Sequence, residues 1–328
     1  MARYKVLYTD SGIGDISVES EFLKQIDAEV IMGSGTDEET LIREGKDCDG
    51  VMVEYAMVTK KVLDSWGEGK VKIISRQGIG YNNIDVDAAT ENHIMVANVP
   101  DYCLDEVADH TLTLSLCVSR EIKSFNERVN RGEWEEKSIR PIHRFGSQNF
   151  CLFGIGNIGR KVVARAQAFG FNVFAYDPFV QDEEFKKLCV KKAGSLEELA
   201  GIADILSIHA PLTDKTKHAI NLDIFKLMKK SSIIVNTSRG PLIKEEDLEY
   251  AIRNDLIAGA GLDVLENEPP SKKSVLLSCS NVIVTPHVAF YSEEAEAELR
   301  MRIAENIALA LTEGKPRSLV NKKALIAK

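Results

Sequence analysis

Apolar positions fall along this chain in two alternating kinds of run. Short blocks rich in Val, Ile and Met, bounded by turn formers, stand at Val6–Tyr8, Glu29–Met32, Gly50–Glu54, Val71–Ser75 and Ile94–Asn98. Between them, Val18–Ile26, Glu38–Gly45, Lys60–Trp66 and Val86–Asn92 carry apolar residues at helical spacing. The blocks predict strands and the spaced runs predict helices. Their alternation predicts a parallel sheet wound on both faces.

The pattern changes after Val99-Pro100. Asp105–His110 lead into Leu112, Leu114, Leu116 and Val118, which predicts one long helix reaching Val129. It is apolar over enough of its surface to be buried in its own domain or against a second subunit. Residues 131–148 are polar and read as a loop. Strand blocks then resume at Phe150–Phe153, Asn172–Tyr176, Ile205–His209, Ile233–Asn236, Gly259–Asp263 and Val282–Thr285. That is the strand complement of a dinucleotide-binding domain. A final helix over Ser292–Leu311 can return to complete the first domain. The expectation is an α/β chain. A Rossmann domain over 102–291 is inserted in a flavodoxin-like doubly wound domain made of 1–101 and 292–328.

Composition narrows the function. The 328 residues carry 41 Lys+Arg against 50 Asp+Glu, a net charge of -9. That balance argues against holding nucleic acid or anionic membrane by bulk charge, but leaves room for a local anion pocket. No apolar run approaches a membrane span, and the N-terminal residues lack the apolar stretch of a signal peptide. The six cysteines have no C-x-x-C spacing, which predicts reduced thiols in a cytoplasmic protein.

The first chemical signal is Phe153-Gly154-Ile155-Gly156-Asn157-Ile158-Gly159, a G-x-G-x-x-G between a strand and a helix. Gly154 would make the tight turn, Gly156 would let backbone approach a pyrophosphate, and Gly159 would let the helix pack closely. The helix N-terminus offers N–H groups to phosphate. The next strand ends in Asp177, where an acidic side chain binds ribose hydroxyls and repels a 2′-phosphate. That favours NAD over NADP. The turn alone names a nucleotide pocket and not a reaction.

Ligands in open parallel sheets lie beyond the carboxyl ends of the strands. Three successive strand ends present Arg239, the acidic group Asp263, Glu266 and Glu268, and His287. Arg239 can grip a carboxylate with two parallel hydrogen bonds. His287 can exchange a proton with a hydroxyl. A carboxylate on its far nitrogen, Glu268 by preference, would fix the tautomer. These parts suit hydride transfer at a 2-oxo or 2-hydroxy acid. Of the other histidines, His209 ends a strand and is expected to line the cofactor cleft. His110 reads as structural, and His93, His143 and His218 have no evident partner.

These residues, with His209-Ala210-Pro211-Leu212-Thr213, Asn236–Gly240, Gly261–Pro269 and Thr285-Pro286-His287, resemble the D-isomer-specific 2-hydroxyacid dehydrogenases. Arg76-Gln77-Gly78-Ile79-Gly80-Tyr81-Asn82-Asn83-Ile84-Asp85 is similar to that family's substrate loop, so the resemblance spans essentially the whole chain. It implies a catalytic trio of Arg239, Glu268 and His287. It implies cofactor contacts at Gly154, Gly156, Asn157, Ile158, Gly159, Asp177, His209, Ala210, Thr213, Thr237, Ser238 and Asp263. Asp263 would lie near the nicotinamide amide. Substrate contacts would come from Tyr55, Gly78, Ile79 and Gly80, with backbone N–H groups of Ile79 and Gly80 on the carboxylate. It also implies a homodimer through the cofactor domain.

Pro286–Glu293 and Val99–Cys103 resemble the phosphoglycerate dehydrogenase-like and C-terminal-binding-protein-like branch. Glu54-Tyr55-Ala56-Met57 lacks the Arg which that branch commonly places there for a phosphate. Hydroxypyruvate, glyoxylate and 3-phosphoglycerate (or its 2-oxo counterpart) remain open as substrates. The alternative is an NAD(H)-sensing corepressor-like binding protein. Formate oxidation is disfavoured by Glu268, where that branch has Gln.

Overall fold

The computed structural model describes residues 2–12, 14–272 and 274–325. Its backbone contacts divide the chain into two units, Met1–Tyr102 with Ser292–Lys328, and Cys103–Tyr291.

In the first unit the short β-branched blocks become β1 (Tyr4–Tyr8), β2 (Ala28–Met32), β3 (Gly50–Val53), β4 (Ile73–Arg76) and β5 (Met95–Ala97). They pair in parallel in the order β2-β1-β3-β4-β5. This is the flavodoxin-like order, whose direction of winding reverses between β1 and β3. Every residue of β3 is buried, as a parallel strand covered on both faces requires. The connecting helices are α1 (Ser17–Leu23), α2 (Glu38–Gly45), α3 (Lys60–Gly67) and α4 (Val86–Glu91). Asp37 and Asp85 cap α2 and α4 by accepting from the Thr40 and Ala88 amides. Trp66 is fully buried, and its indole donates to the Leu41 carbonyl at 2.9 Å.

The chain's last long helix, Glu293–Glu313, belongs to this unit. Ser292 caps its start, and Gly314 ends it at φ 79°, where a side chain would be strained. Arg300 forms a buried ion pair with Glu19 of α1 at 2.7 Å. Tyr4 donates to the Leu311 carbonyl, and the Val96 amide donates to Asn321 Oδ1 at 2.8 Å. The first sheet is therefore finished by the end of the chain.

The second unit opens with α5 (Leu104–Ser119) and α6 (Ile122–Asn130). The apolar pattern predicts one helix here, and the structure breaks it. Glu121 adopts φ 52°, and its carboxylate accepts from the Ile139 and Arg140 amides at 2.9 Å each. A contact with a segment eighteen residues on thus overrides local helix propensity.

The second sheet contains β6 (Asn149–Phe153), β7 (Asn172–Tyr176), β8 (Lys191–Lys192), β9 (Ile205–Ile208), β10 (Ile233–Asn236), β11 (Gly259–Leu262) and β12 (Val282–Val284). All are parallel, in the order β12-β11-β10-β9-β6-β7-β8. This is the dinucleotide-binding order with one added strand. β8 was not expected from the sequence. The helices are α7 (Asn157–Ala168), α8 (Asp182–Lys187), α9 (Leu196–Ile202), α10 (Leu222–Leu227) and α11 (Glu245–Arg253). One core lies under α5 and α7 around Phe150, Val162 and Val235, and another around Leu206, Phe225 and Leu248.

Candidate active site

The glycine turn joins β6 to α7. Gly154 has φ +95°, and a Cβ there would lie 2.8 Å from the Ala210 nitrogen, so both dihedral and space demand glycine. A Cβ on Gly159 would lie 2.7 Å from the Gly154 carbonyl oxygen. Gly156 differs, because a Cβ there would meet nothing within 4 Å. It sits at the N-cap of α7 without a side-chain cap. Gly156 and Asn157 are exposed, so the uncapped start of α7 borders open space there, as a bound phosphate requires. Asp177, at the end of β7, accepts from the Ile155 and Phe179 amides at 3.0 Å each. The carboxylate is thus fixed against the glycine turn. These residues fit a dinucleotide.

The loop after β9 lies against this turn. His209 Nε2 shares a hydrogen bond with Ser207 Oγ at 2.8 Å. Burial pushes the His209 imidazole down to about 4, so it is neutral at physiological pH and does not serve as a general acid. Ser238 donates to the Ala210 carbonyl at 2.8 Å, and Thr237 Oγ1 meets Thr111 Oγ1 at 2.8 Å. Thr213 is held in its own turn by Thr216, with Oγ1 atoms 3.0 Å apart.

The three chemical groups come from the ends of β10, β11 and β12. His287 Nδ1 lies 2.7 Å from Glu268 Oε2. Burial would raise the Glu268 pKa. The His287 hydrogen bond, the Leu265 amide at 3.0 Å and the charges of His287 and Arg239 outweigh that and hold it below the ordinary carboxylate range. The turn carrying Arg239 is tied by Asn236, which donates to the Arg239 carbonyl and accepts from the Ser238 amide. A Cβ on Gly240 would lie 2.6 Å from the Glu266 nitrogen and nearer still to the Leu265 carbonyl. Backbone on one side of the trio is thus packed directly on backbone on the other.

His287 has φ 54°, the left-handed region that costs a branched-free side chain about 1 kcal/mol. Asp263 compensates. Its carbonyl accepts from the His287 amide at 2.8 Å. Its buried carboxylate accepts from Thr285 Oγ1 at 2.5 Å and from the Val288 and Ala289 amides at 3.0 and 2.9 Å. His110 Nε2 joins this group through Thr285 Oγ1 at 3.0 Å.

Two pairings were missed in the sequence. His218, which had no evident partner, meets Glu266 Oε1 at 2.5 Å. Glu266 and Glu245 also exchange bonds, each carboxylate accepting from the other's amide at 2.9 and 3.0 Å. The loop from Asp263 to Glu268 is therefore gripped from two sides. Its one signal in the sequence was the density of acidic residues beyond β11.

Residues 112–289 match the model of the D-isomer specific 2-hydroxyacid dehydrogenase NAD binding domain. The chain is 35% identical over 311 residues to a hydroxypyruvate reductase of Thermotoga maritima, covering 94% of this chain and 98% of that one. The chain belongs to the D-isomer specific 2-hydroxyacid dehydrogenase family.

It is also 40% identical over 294 residues to a D-3-phosphoglycerate dehydrogenase of Methanocaldococcus jannaschii, covering 89% of this chain. It spans about half the length of that relative, 55%. A crystal structure of D-lactate dehydrogenase from Aquifex aeolicus, complexed with NAD and lactic acid, superposes with a TM-score of 0.86 at 26% identity. That match covers 96% of this chain and 99% of the other. The family's cofactor domain is NAD-binding, in accord with the glycine turn and Asp177. Among the described residues no group of three or more His, Cys, Asp or Glu is placed to hold a metal ion. No helix among them is long and apolar enough to cross a membrane.

Proposed function

We propose that this protein is an NAD-dependent dehydrogenase that interconverts a 2-oxo acid and the D-2-hydroxy acid. The single observation that carries the reading is the 2.7 Å pairing of His287 with Glu268, within the field of Arg239, at the strand ends of an NAD-binding unit. NAD, when bound, supplies or accepts the hydride at the substrate's C2. Arg239 holds the carboxylate and polarises the neighbouring carbonyl. In reduction, His287 gives its proton to the carbonyl oxygen as hydride reaches C2, so two electrons and two hydrogens are added. In oxidation it takes that proton back. Glu268 fixes the imidazole orientation and favours its charged form. His209, being neutral, does not compete for this role.

Asn157, Ile158 and the three glycines would hold the pyrophosphate, and Asp177 the ribose. Ala210, Thr213, Thr237, Ser238 and Asp263 would line the remainder. In the first unit, Tyr55, Gly78, Ile79 and Gly80 would contact the acid. Hydroxypyruvate, glyoxylate and 3-phosphohydroxypyruvate are the first acids to try, given the activities for which the relatives are named. We further propose a homodimer through the second unit, where Ile122, Val129, Trp134 and Ile139 are exposed apolar residues, and a cytoplasmic setting, in keeping with six free cysteines.

The test is NADH oxidation across a panel of 2-oxo acids. Turnover confined to such acids, with the D product, is expected. Absence of turnover with every acid, together with NADH-dependent assembly, would replace the enzyme by the nucleotide-sensing alternative.

A further inference from the structure

The first unit's sheet reverses its winding between β1 and β3, and ligands of such sheets sit at that reversal. Three loops meet there. Thr9–Gly12 follows β1, Glu54–Val58 follows β3, and Gln77–Asn83 follows β4. The Asn83 side chain fastens the last two together by donating to the Glu54 and Ala56 carbonyls at 3.2 and 2.9 Å. The Val58 amide adds a bond to the Asn83 carbonyl at 2.8 Å.

What this surface offers is apolar and acidic. Tyr55, Met57 and Tyr81 are 60%, 58% and 39% exposed, although large apolar side chains are ordinarily buried. Glu54 is only 8% exposed, and its Oε2 accepts from the Gly12 amide at 2.6 Å. Asp10 lies beside it. Its carboxylate is engaged by the Glu54, Tyr55 and Ala56 amides at 3.2, 2.6 and 3.1 Å. Arg76 precedes the third loop and is turned back on its own chain, with Nη1 donating to the Gln77 carbonyl. A Cβ on Gly78 would run into that same nitrogen. The cation is thus packed against the turn at Gly78. Burial first, and then the charge of Asp10, raises the Glu54 pKa, against the opposing pull of the Gly12 amide, the Arg76 charge and Tyr55.

We propose that Glu54, with Tyr55, Met57 and Tyr81, selects a 2-oxo acid whose side chain is uncharged and largely apolar, and rejects one ending in phosphate. This rests on the reading that Tyr55 and Gly78–Gly80 contact the acid. A phosphate monoester carries about two negative charges at neutral pH. Beside the neighbouring carboxylates of Glu54 and Asp10 it is opposed by like charge, and Arg76 is already engaged by the Gln77 carbonyl and by the charge of Glu54. An alkyl or aryl group instead covers exposed tyrosine and thioether surface. The choice differs from the activity for which the relative at 40% identity, a D-3-phosphoglycerate dehydrogenase, is named.

The experiment compares 4-methyl-2-oxopentanoate, phenylpyruvate, pyruvate and 3-phosphohydroxypyruvate. Each is measured twice on the full chain, by NADH oxidation and by calorimetric binding in the presence of NAD. The expected kcat/KM for 4-methyl-2-oxopentanoate or phenylpyruvate exceeds that for 3-phosphohydroxypyruvate by at least about a hundredfold. E54Q, checked for its melting temperature, should narrow that ratio by about tenfold, and M57A should raise KM for the apolar acids. Tightest binding or fastest turnover with 3-phosphohydroxypyruvate overturns the proposal, as does an unchanged ratio in a folded E54Q protein. Binding in the expected order without turnover would support this selection while refuting the proposed reaction.

Discussion

Replacing Gly240 by alanine should separate the two halves of the proposed catalytic trio. The added Cβ would lie 2.6 Å from the Glu266 nitrogen and closer to the Leu265 carbonyl, where ordinary contact begins at 3.4 Å. Both opposing groups are backbone, so no side chain can rotate away. The Arg239 turn and the loop carrying Glu268 must part by about 1 Å, which can cost roughly a hundredfold in rate when reacting groups are displaced. Overpacking of this kind also costs about 1–3 kcal/mol. For a unit of this size that lowers the melting temperature by roughly 2–12 °C. The assay pairs kcat/KM for the preferred 2-oxo acid with calorimetric melting and with NADH affinity. The glycine turn at Gly154 lies elsewhere, while Thr237 and Ser238 share the displaced turn, so kcat should fall by more than NADH affinity does. A G240A protein with kcat/KM within about twofold of the parent would show that the close approach does not position the trio.

Three further outcomes follow from the same geometry. Glu268→Gln keeps an acceptor for His287 but removes its charge. Charge-assisted bonds contribute about 1.5–3 kcal/mol, and with both side chains 38% exposed solvent trims this to about 1–2 kcal/mol, or roughly 5- to 30-fold in the reduction rate at neutral pH. An unchanged reduction rate in a folded Glu268→Gln protein refutes the pairing. The wild-type carboxylate is held low, so its small stabilising contribution is present above the ordinary carboxylate range and fades as pH falls through its depressed value; a Tm–pH series of the two proteins should differ near neutral pH and converge on the acid side. Asp177→Ala should lower the preference for NADH over NADPH by about tenfold, and strict NADH use would move the ribose contact elsewhere. His218→Ala should reduce kcat by about threefold or more with NADH affinity held, and His218→Gln should recover part of it; no change in kcat would make the Glu266 pair ornamental to catalysis.

Much of this was legible because parallel strands buried on both faces write uninterrupted apolar blocks. β7 and β10 begin and end where the sequence predicts, at Asn172–Tyr176 and Ile233–Asn236. The polar residues that close those blocks are the ones at the strand ends, which is why Arg239, Glu268 and His287 stood out. What could not be read depends on distant partners. β8 is two exposed lysines with no apolar signal, and it exists because β7 offers an edge to pair with. The break at Glu121 answers to amides at Ile139 and Arg140. His218 finds Glu266 across 48 residues. Gly240 looks like any loop glycine until Leu265 is seen against it.

The helix at Glu293–Glu313 gives the two units different schedules during synthesis. Chains emerge at about 5–20 residues per second. The whole of Cys103–Tyr291 is therefore made before the helix that the first sheet needs has left the ribosome. For on the order of ten to forty seconds the first hundred residues wait with the Glu19 carboxylate lacking Arg300 and the Val96 amide lacking Asn321. Nascent chains stalled just before Ser292 should accordingly be cut by protease within the first hundred residues while the glycine-turn unit resists. The oldest part of each molecule is the last to become native.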